Sequence, residues 1–170
     1  MSHDTHHHHK ESFITKYIFS QDHKMIARQY LITAIFMGAI GIALSALFRL
    51  KLGWPDDKFP ILESILGSDA APEGLLDSNW YLGLVTLHGT IMVFFVLTGG
   101  LSGTFSNLLI PLQVGARDMA SGLLNMISYW LFFLSSVLMA SSLFIETGPA
   151  MAGWTVYPPL SVLAEFQPGS

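Results

Sequence analysis

The sequence predicts an all-α membrane protein, and two observations carry this prediction. Hydrophobic residues make up 51% of the chain and charged residues only 12%, about half the charged share of a typical soluble domain. The charges are also missing from long blocks, since residues 31–48, 78–116 and 119–145 contain no Asp, Glu, Lys or Arg. A helix needs about 20 apolar residues to cross a bilayer. The blocks therefore predict three transmembrane helices, at residues 29–50, 80–106 and 126–146.

Residues 1–28 form a polar segment ahead of the first predicted helix. The apolar run after it begins too late for a signal peptide and lacks a small-residue cleavage site, so we expect a retained helix. Four histidines at positions 6–9 are typical of a solvated tail, and adventitious metal binding or a tag remnant are the alternatives. The chain has no Cys, which excludes disulfides and thiolate metal sites. No basic patch indicates a nucleic-acid partner.

The distribution of Lys and Arg predicts the orientation in the membrane. The N-terminal segment and the predicted turn at residues 107–125 hold five of these residues, and the acidic loop at residues 51–79, with Arg49, holds three. Because the excess belongs on the cytoplasmic side, we expect the N-terminus inside and the acidic loop outside. His88 then lies about 12 Å below the outer end of the second span, at about 1.5 Å per residue.

His88 is an ionisable residue within an apolar span, in the stretch "TLHGTIMVFF". One interpretation is a packed histidine that donates a hydrogen bond to a carbonyl on a neighbouring helix. The other is an axial ligand, because neutral imidazole is the commonest side-chain metal ligand and haem iron takes it readily. Gly89 beside it would let a flat macrocycle or another helix approach. The spacing is compatible with both.

Other polar or aromatic residues also have two interpretations. Arg49 at a helix end is typical of an arginine that extends to the headgroups, or it bonds a cofactor at the depth of His88. Trp154 fits the aromatic belt, or it covers a cofactor. Asp118 is either part of a surface pair with Arg117 or the acid of a proton path. The same choice, between helix capping or packing and the lining of that path, applies to three residues: Asn107, Asn125 and Ser128.

Six motifs in this order resemble subunit I of the haem–copper oxidases, the cytochrome c oxidase family, from about residue 19 to 160. Their sequences are "FSQDHK", "LFRLKLG", "TLHGTIMVFF", "GTFSNLLIPLQVGARDMA", "LLNMISYW" and "GWTVYPPL". The resemblance implies that residues 29–170 are the N-terminal membrane region of such a subunit and residues 1–28 its cytoplasmic segment. The three helices would then be the first part of a larger polytopic bundle.

The resemblance also implies roles for the residues nearer the outer surface. His88 stands where the family has an axial ligand of its low-spin haem, of a or b type. Arg49 matches the arginine that bonds a polar substituent of that haem. Trp154 matches the tryptophan of the outer loop near the haem propionates.

The residues nearer the inner surface match a D-type proton channel. Asp118 stands where the family has the acid at the channel mouth. Asn107, Asn125 and Ser128 match polar residues along the channel, and Tyr30 matches a tyrosine near the same path. The family often has Pro where Arg117 stands here, and Phe-Pro-Arg in place of the tripeptide at residues 121–123. Arg117 thus puts a cation next to the channel acid in the sequence.

Family members continue through roughly a dozen helices of about 20 residues each. The resemblance therefore implies that the other haem ligands, the high-spin haem and the copper site lie in the remainder of subunit I. It further implies partner oxidase subunits, cytochrome c or a cytochrome c domain as electron donor, and the lipid bilayer of a bacterial cytoplasmic membrane. The expected reaction is reduction of oxygen to water with proton pumping. A quinol oxidase, a nitric oxide reductase and a non-catalytic membrane subunit are the alternatives.

Overall fold

A computed structural model of the chain describes residues 12–145 and 148–162. Within these ranges the secondary structure is helical, without strands. The histidines at positions 6–9 and the last eight residues lie outside the described residues. The five α-helices, in chain order, are α1 (His23–Gly53), α2 (Pro60–Leu66), α3 (Ser78–Thr90), α4 (Ser102–Val114) and α5 (Gly122–Ser141). A π-helix, Ile91–Leu101, joins α3 to α4 without a break.

Three helices are long and apolar enough to cross a membrane, which confirms the predicted number of spans. They are His23–Gly53, the continuous helix Ser78–Val114, and Gly122–Phe144, in which a 3-10 turn extends α5. The predicted turn at residues 107–125 was too long, because the second helix continues past 106 and the third begins before 126. Asn107 and Asn125, at the two ends of that predicted turn, lie within the helices and bond to each other across their interface.

Side chains at the N-termini and a glycine define the ends of the long helices. The carboxylate of Asp22 accepts a hydrogen bond from the Met25 amide at the start of α1. Asp77 accepts from two amides at the start of α3, and Ser121 accepts from one at the start of α5. Such caps satisfy amides that have no partner within the helix. Gly115 ends α4 with φ of 71°, a left-handed conformation that glycine adopts without strain.

α1 packs along most of its length against the continuous helix Ser78–Val114. Their shared core includes Met37 and Leu44 of α1, with Leu84, Ile91 and Phe95 facing them. A second cluster at the other end joins α1 to α5, and its buried members are Ile26, Tyr30 and Tyr129. The two ends of the bundle therefore have separate cores, and the candidate residues divide between them.

The loop between α1 and α3 folds back on the first of these two cores through Leu62 of α2, which is 1% exposed. Lys58 forms an exposed ion pair with Glu73 at the base of this loop. The hydrogen bond from Lys58, together with its positive charge, holds the pKa of the Glu73 carboxyl below its usual value. The Phe59 amide also donates to the Gly74 carbonyl at 2.9 Å, so side chains and backbone both close the loop.

Candidate functional site

His88 lies near the C-terminal end of α3, with its half-buried ring directed at α1. Its Nδ1 is 2.8 Å from the carbonyl oxygen of Gly41. A carbonyl only accepts, so Nδ1 carries a proton, and in the neutral imidazole Nε2 has a free lone pair. Among the described residues no hydrogen bond involves that Nε2. The ring also meets Phe48 edge-on, with the centroids 5.6 Å apart. The protein thus fixes both the orientation and the tautomer of this imidazole.

The segment at residues 148–156 packs along α3 and places Trp154 against Gly89. A Cβ atom added to Gly89, the residue after His88, would lie 2.8 Å from Cδ1 of the Trp154 ring, so the indole rests directly on the helix backbone. The Gly153 amide donates to the Thr86 hydroxyl at 2.9 Å. A Cβ atom added to Gly83 would likewise lie 2.9 Å from Cγ of Pro149. The loop therefore follows α3 for about two turns.

Arg49 lies near the C-terminal end of α1, next to Phe48, whose ring meets the ring of His88. Its side chain is exposed. Within the described residues it makes no ion pair or hydrogen bond. The structure shows no contact between the guanidinium of Arg49 and the imidazole of His88.

Asp118 lies in the short connection between α4 and α5, exposed at the opposite end of the bundle. Its Oδ1 accepts hydrogen bonds from the amides of His23, at 3.2 Å, and of Met119, at 2.7 Å. The carboxylate therefore sits on the N-terminus of α1, where the helix dipole favours negative charge. Asp22, His23 and Asp118 each offer a ligand atom, all within 4.8 Å of one another, a spacing that suits a divalent cation.

Asn107 is buried within α4 and links three helices. Its carbonyl oxygen lies 2.7 Å from Nδ1 of His23 on α1. Its side-chain oxygen accepts from the Asn125 amide of α5 at 2.5 Å, and its own amide donates to Gly103. The structure thus brings together Asp118, Asn107 and Asn125, through His23.

Tyr30 and Ser128 lie further along the same interface between α1 and α5. The Tyr30 hydroxyl is 2.7 Å from Oγ of Ser128. One turn deeper, the hydroxyl of Tyr129 is 3.2 Å from Oγ1 of Thr33. Asp118, the two asparagines and these hydroxyls therefore mark a series of polar groups that leads into the bundle from the end where Asp118 lies.

The two groups of residues lie far apart along the membrane-spanning direction. Nineteen positions of continuous helix separate His88 from Asn107, or roughly 25–30 Å at helical rise. That distance is most of the thickness of the hydrocarbon core. One group therefore lies toward each surface.

Three residues that support these groups escaped the sequence analysis. Gly41 and Thr86 act through a backbone carbonyl and a hydroxyl, so their residue types gave no signal. His23 is 1% exposed and stands within the quoted motif "FSQDHK", which was the signal available for it.

The comparison with protein families decides which family the chain belongs to. The family described as "Cytochrome C and Quinol oxidase polypeptide I" matches residues 25–169. The chain belongs to this family. The predicted resemblance to subunit I of the haem–copper oxidases is confirmed.

Some curated relatives are named as cytochrome c oxidases and others as quinol oxidases. The chain is 44% identical over 156 residues to the alternative cytochrome c oxidase subunit 1 of Bradyrhizobium diazoefficiens, covering 92% of this chain and 24% of that protein. It is 40% identical over 148 residues to cytochrome c oxidase subunit 1 of Thermostichus vulcanus, covering 86% and 23%. It is 38% identical over 159 residues to a probable quinol oxidase subunit 1 of Staphylococcus aureus, covering 91% and 21%. The chain thus spans about a quarter of these relatives.

Proposed function

We propose that this chain forms the N-terminal part of subunit I of a terminal oxidase in a bacterial cytoplasmic membrane, with its N-terminus inside. The complete enzyme would take electrons from cytochrome c, reduce oxygen to water and pump protons. The high-spin haem and copper would be held by the remainder of the subunit. This segment would contribute one axial ligand of the low-spin haem and the entrance of a proton path.

The orientation of His88 is the observation that carries the haem assignment. A metal-binding histidine typically donates its second ring N–H to a carbonyl or carboxylate, which fixes the ring and raises the basicity of the ligand nitrogen. The bond to Gly41 meets this requirement and leaves Nε2 free. The residues therefore fit a haem ligand, although a packed histidine would make the same bond. When bound, the haem would supply one-electron transfer.

Arg49 and Trp154 would complete the surroundings of this ligand. The exposed guanidinium of Arg49 is free to bond a polar haem substituent, because no acid pairs with it among the described residues. Trp154 rests on Gly89 and would exclude water from one side of the group. Axial ligation, hydrogen bonding and burial are the means by which a protein sets a haem potential.

The inner group would admit protons. Asp118 is exposed, so it can exchange protons with water, while Asn107 and Asn125 bond each other within the bundle. Ser128 and Tyr30 continue the polar series. Polar side chains facing the interior of a bundle let protons cross without opening the hydrocarbon region to bulk water.

An optical spectrum of the assembled oxidase tests the haem assignment. We expect His88→Ala to abolish the low-spin band in the reduced-minus-oxidised spectrum, and His88→Met to keep a band at a higher potential, since thioether ligation raises the potential. His23→Ala is a matched control, because it too removes a histidine that bonds a carbonyl through Nδ1. An unchanged band in His88→Ala would leave His88 as a packing residue of a structural membrane subunit.

A quinol oxidase is the second candidate, favoured by the match to the Staphylococcus aureus protein. Steady-state oxygen consumption by the purified complex separates the two candidates. Turnover with reduced cytochrome c and none with a ubiquinol or menaquinol analogue would support the cytochrome c branch. The reverse result would overturn it and leave the His88 assignment intact.

A further inference from the structure

A groove on the outside of the bundle lies between α1 and α4, with a volume of about 280 Å³. Its walls combine cationic and apolar side chains with one threonine. The lining residues are Lys24, Ala27, Arg28, Leu31, Thr104 and Leu108. The Thr104 hydroxyl donates to the Gly100 carbonyl at 2.6 Å, so it is engaged within its own helix. The cations are therefore the polar groups that this groove offers to a ligand.

Lys24 and Arg28 are one helical turn apart, so their side chains share a face of α1. Both are exposed, and neither forms an ion pair with a described residue. None of the residues that line the groove is acidic. Two neighbouring unpaired cations repel each other, and an anion between them would relieve that repulsion.

The groove also follows the transition from polar to apolar surface. Arg28 is the last charged residue before the charge-free run at residues 31–48, so the cations lie at a membrane boundary whichever way the protein is oriented. Leu31 is 39% exposed and Leu108 is 37% exposed. Leu31 lies about 10 Å further along the axis than Lys24. A ligand in this groove would meet positive charge at one end and an apolar surface at the other.

We propose that this groove binds an anionic phospholipid of the phosphatidylglycerol class. Its phosphate would lie between Lys24 and Arg28, and an acyl chain would follow Leu31 and Leu108 into the bilayer. Basic pockets between transmembrane helices at the membrane surface are typical sites for anionic headgroups. A soluble phosphate would use the cations alone, so the apolar half of the groove favours a lipid.

The charge at the site predicts the size of the effect. Each Lys or Arg near the surface contributes about 1 kcal/mol to the binding of anionic lipid, which corresponds to about fivefold in affinity. Replacing both cations should therefore weaken binding about 25-fold. Arg28→Lys keeps the charge and should leave retention close to that of the wild type.

Native mass spectrometry of the assembled oxidase, purified in mild detergent and titrated with phosphatidylglycerol, tests the proposal. We expect the double variant Lys24→Gln/Arg28→Gln to lose one tightly retained lipid. Lys51→Gln, which removes a cation at the other end of α1, should keep it. Arg28→Gln alone should weaken retention about fivefold, and it keeps the test possible if the double variant does not assemble.

Two outcomes would overturn the proposal. Equal lipid retention by wild type and variants would mean that other parts of the oxidase cover the groove. Displacement of the lipid by glycerol phosphate at the same concentration as by phosphatidylglycerol would identify a soluble phosphate as the ligand. The proposal would be supported if the wild type retains phosphatidylcholine more weakly than phosphatidylglycerol, and if this difference disappears when the two cations are removed.

Discussion

The imidazole of His23 donates a hydrogen bond to the backbone carbonyl of Asn107, with 2.7 Å between Nδ1 and the oxygen. In a regular helix that carbonyl would accept from the amide four residues later. The residue at that position is Pro111, which lies inside α4 and has no N–H. A proline in one helix therefore leaves an acceptor for a buried histidine of another, and the pair joins α1 to α4 beside Asp118.

This relationship predicts that His23 and Pro111 are energetically coupled. His23→Ala should destabilise the assembled protein by about 1–3 kcal/mol, the cost of an unsatisfied buried group. In a Pro111→Ala background the new amide would bond to Asn107, so the loss should shrink by at least about 0.5 kcal/mol. Denaturation of the four proteins of this double-mutant cycle measures the coupling. Equal losses in both backgrounds would contradict it.

Asp118→Asn should slow proton uptake. The amide side chain keeps the shape of the carboxylate and its hydrogen bond from the His23 amide, but it cannot take up a proton. A positioned acid or base contributes about 100-fold or more to proton transfer, and we expect a loss of that order. Time-resolved uptake by oxidase in liposomes is the measurement.

Asp77→Asn is the matched control for the proton-uptake experiment. Asp77 caps α3 at the other end of the bundle, and asparagine caps a helix equally well. Its uptake should equal that of the wild type. Unchanged uptake and pumping in Asp118→Asn would show that protons enter elsewhere.

Thr86→Val should loosen the loop that carries Trp154. The Thr86 hydroxyl accepts from the Gly153 amide, and valine keeps the shape of the side chain but not this acceptor. We expect faster hydrogen exchange at Gly153 and a shift in the potential of a haem bound at His88. Thr90→Val is the control, because among the described residues the Thr90 hydroxyl bonds only within its own helix, to the Thr86 carbonyl. The same response from both variants would refute a specific role for Thr86.

The number of spans followed from the sequence because apolar blocks of that length have few other uses in a protein. The helix ends did not, since the predicted turn at residues 107–125 extended over Asn107 and Asn125, which the structure places within helices. In isolation an asparagine favours a loop, because its amide competes with the backbone for hydrogen bonds. Here each amide is occupied by a partner. The pairing joins two helices, which no local pattern can reveal.

The sequence also predicted only part of the candidate site. His88 was identified as a polar group within an apolar span, and the motifs indicated its surroundings. Its hydrogen-bond partner is the Gly41 carbonyl, 47 residues away in the chain. Every residue has a carbonyl, so its use as an acceptor leaves no trace in composition or spacing. Only the packing of α1 against α3 defines it.

A last prediction concerns the close contact between α1 and α4. A Cβ atom at Gly103 would lie 2.6 Å from Cδ1 of Tyr30. That ring cannot move aside easily, because its hydroxyl bonds Ser128 and its face meets Phe132, with the centroids 5.1 Å apart. Gly103→Ala should therefore destabilise the protein by about 1–3 kcal/mol, despite the higher helix propensity of alanine.

Gly38→Ala provides the matched comparison for Gly103→Ala. A Cβ atom at Gly38 would meet its nearest neighbour, Cγ2 of Val96, at 3.6 Å, an ordinary contact. Alanine there should leave stability unchanged or raise it by up to about 1 kcal/mol. Unfolding midpoints of the two purified variants test the difference, and equal midpoints would contradict it. Because Gly103→Ala also displaces Tyr30, it should slow proton uptake as well. Gly38 lies eight residues beyond Tyr30 on α1, away from the end where Asp118 lies, so Gly38→Ala should not.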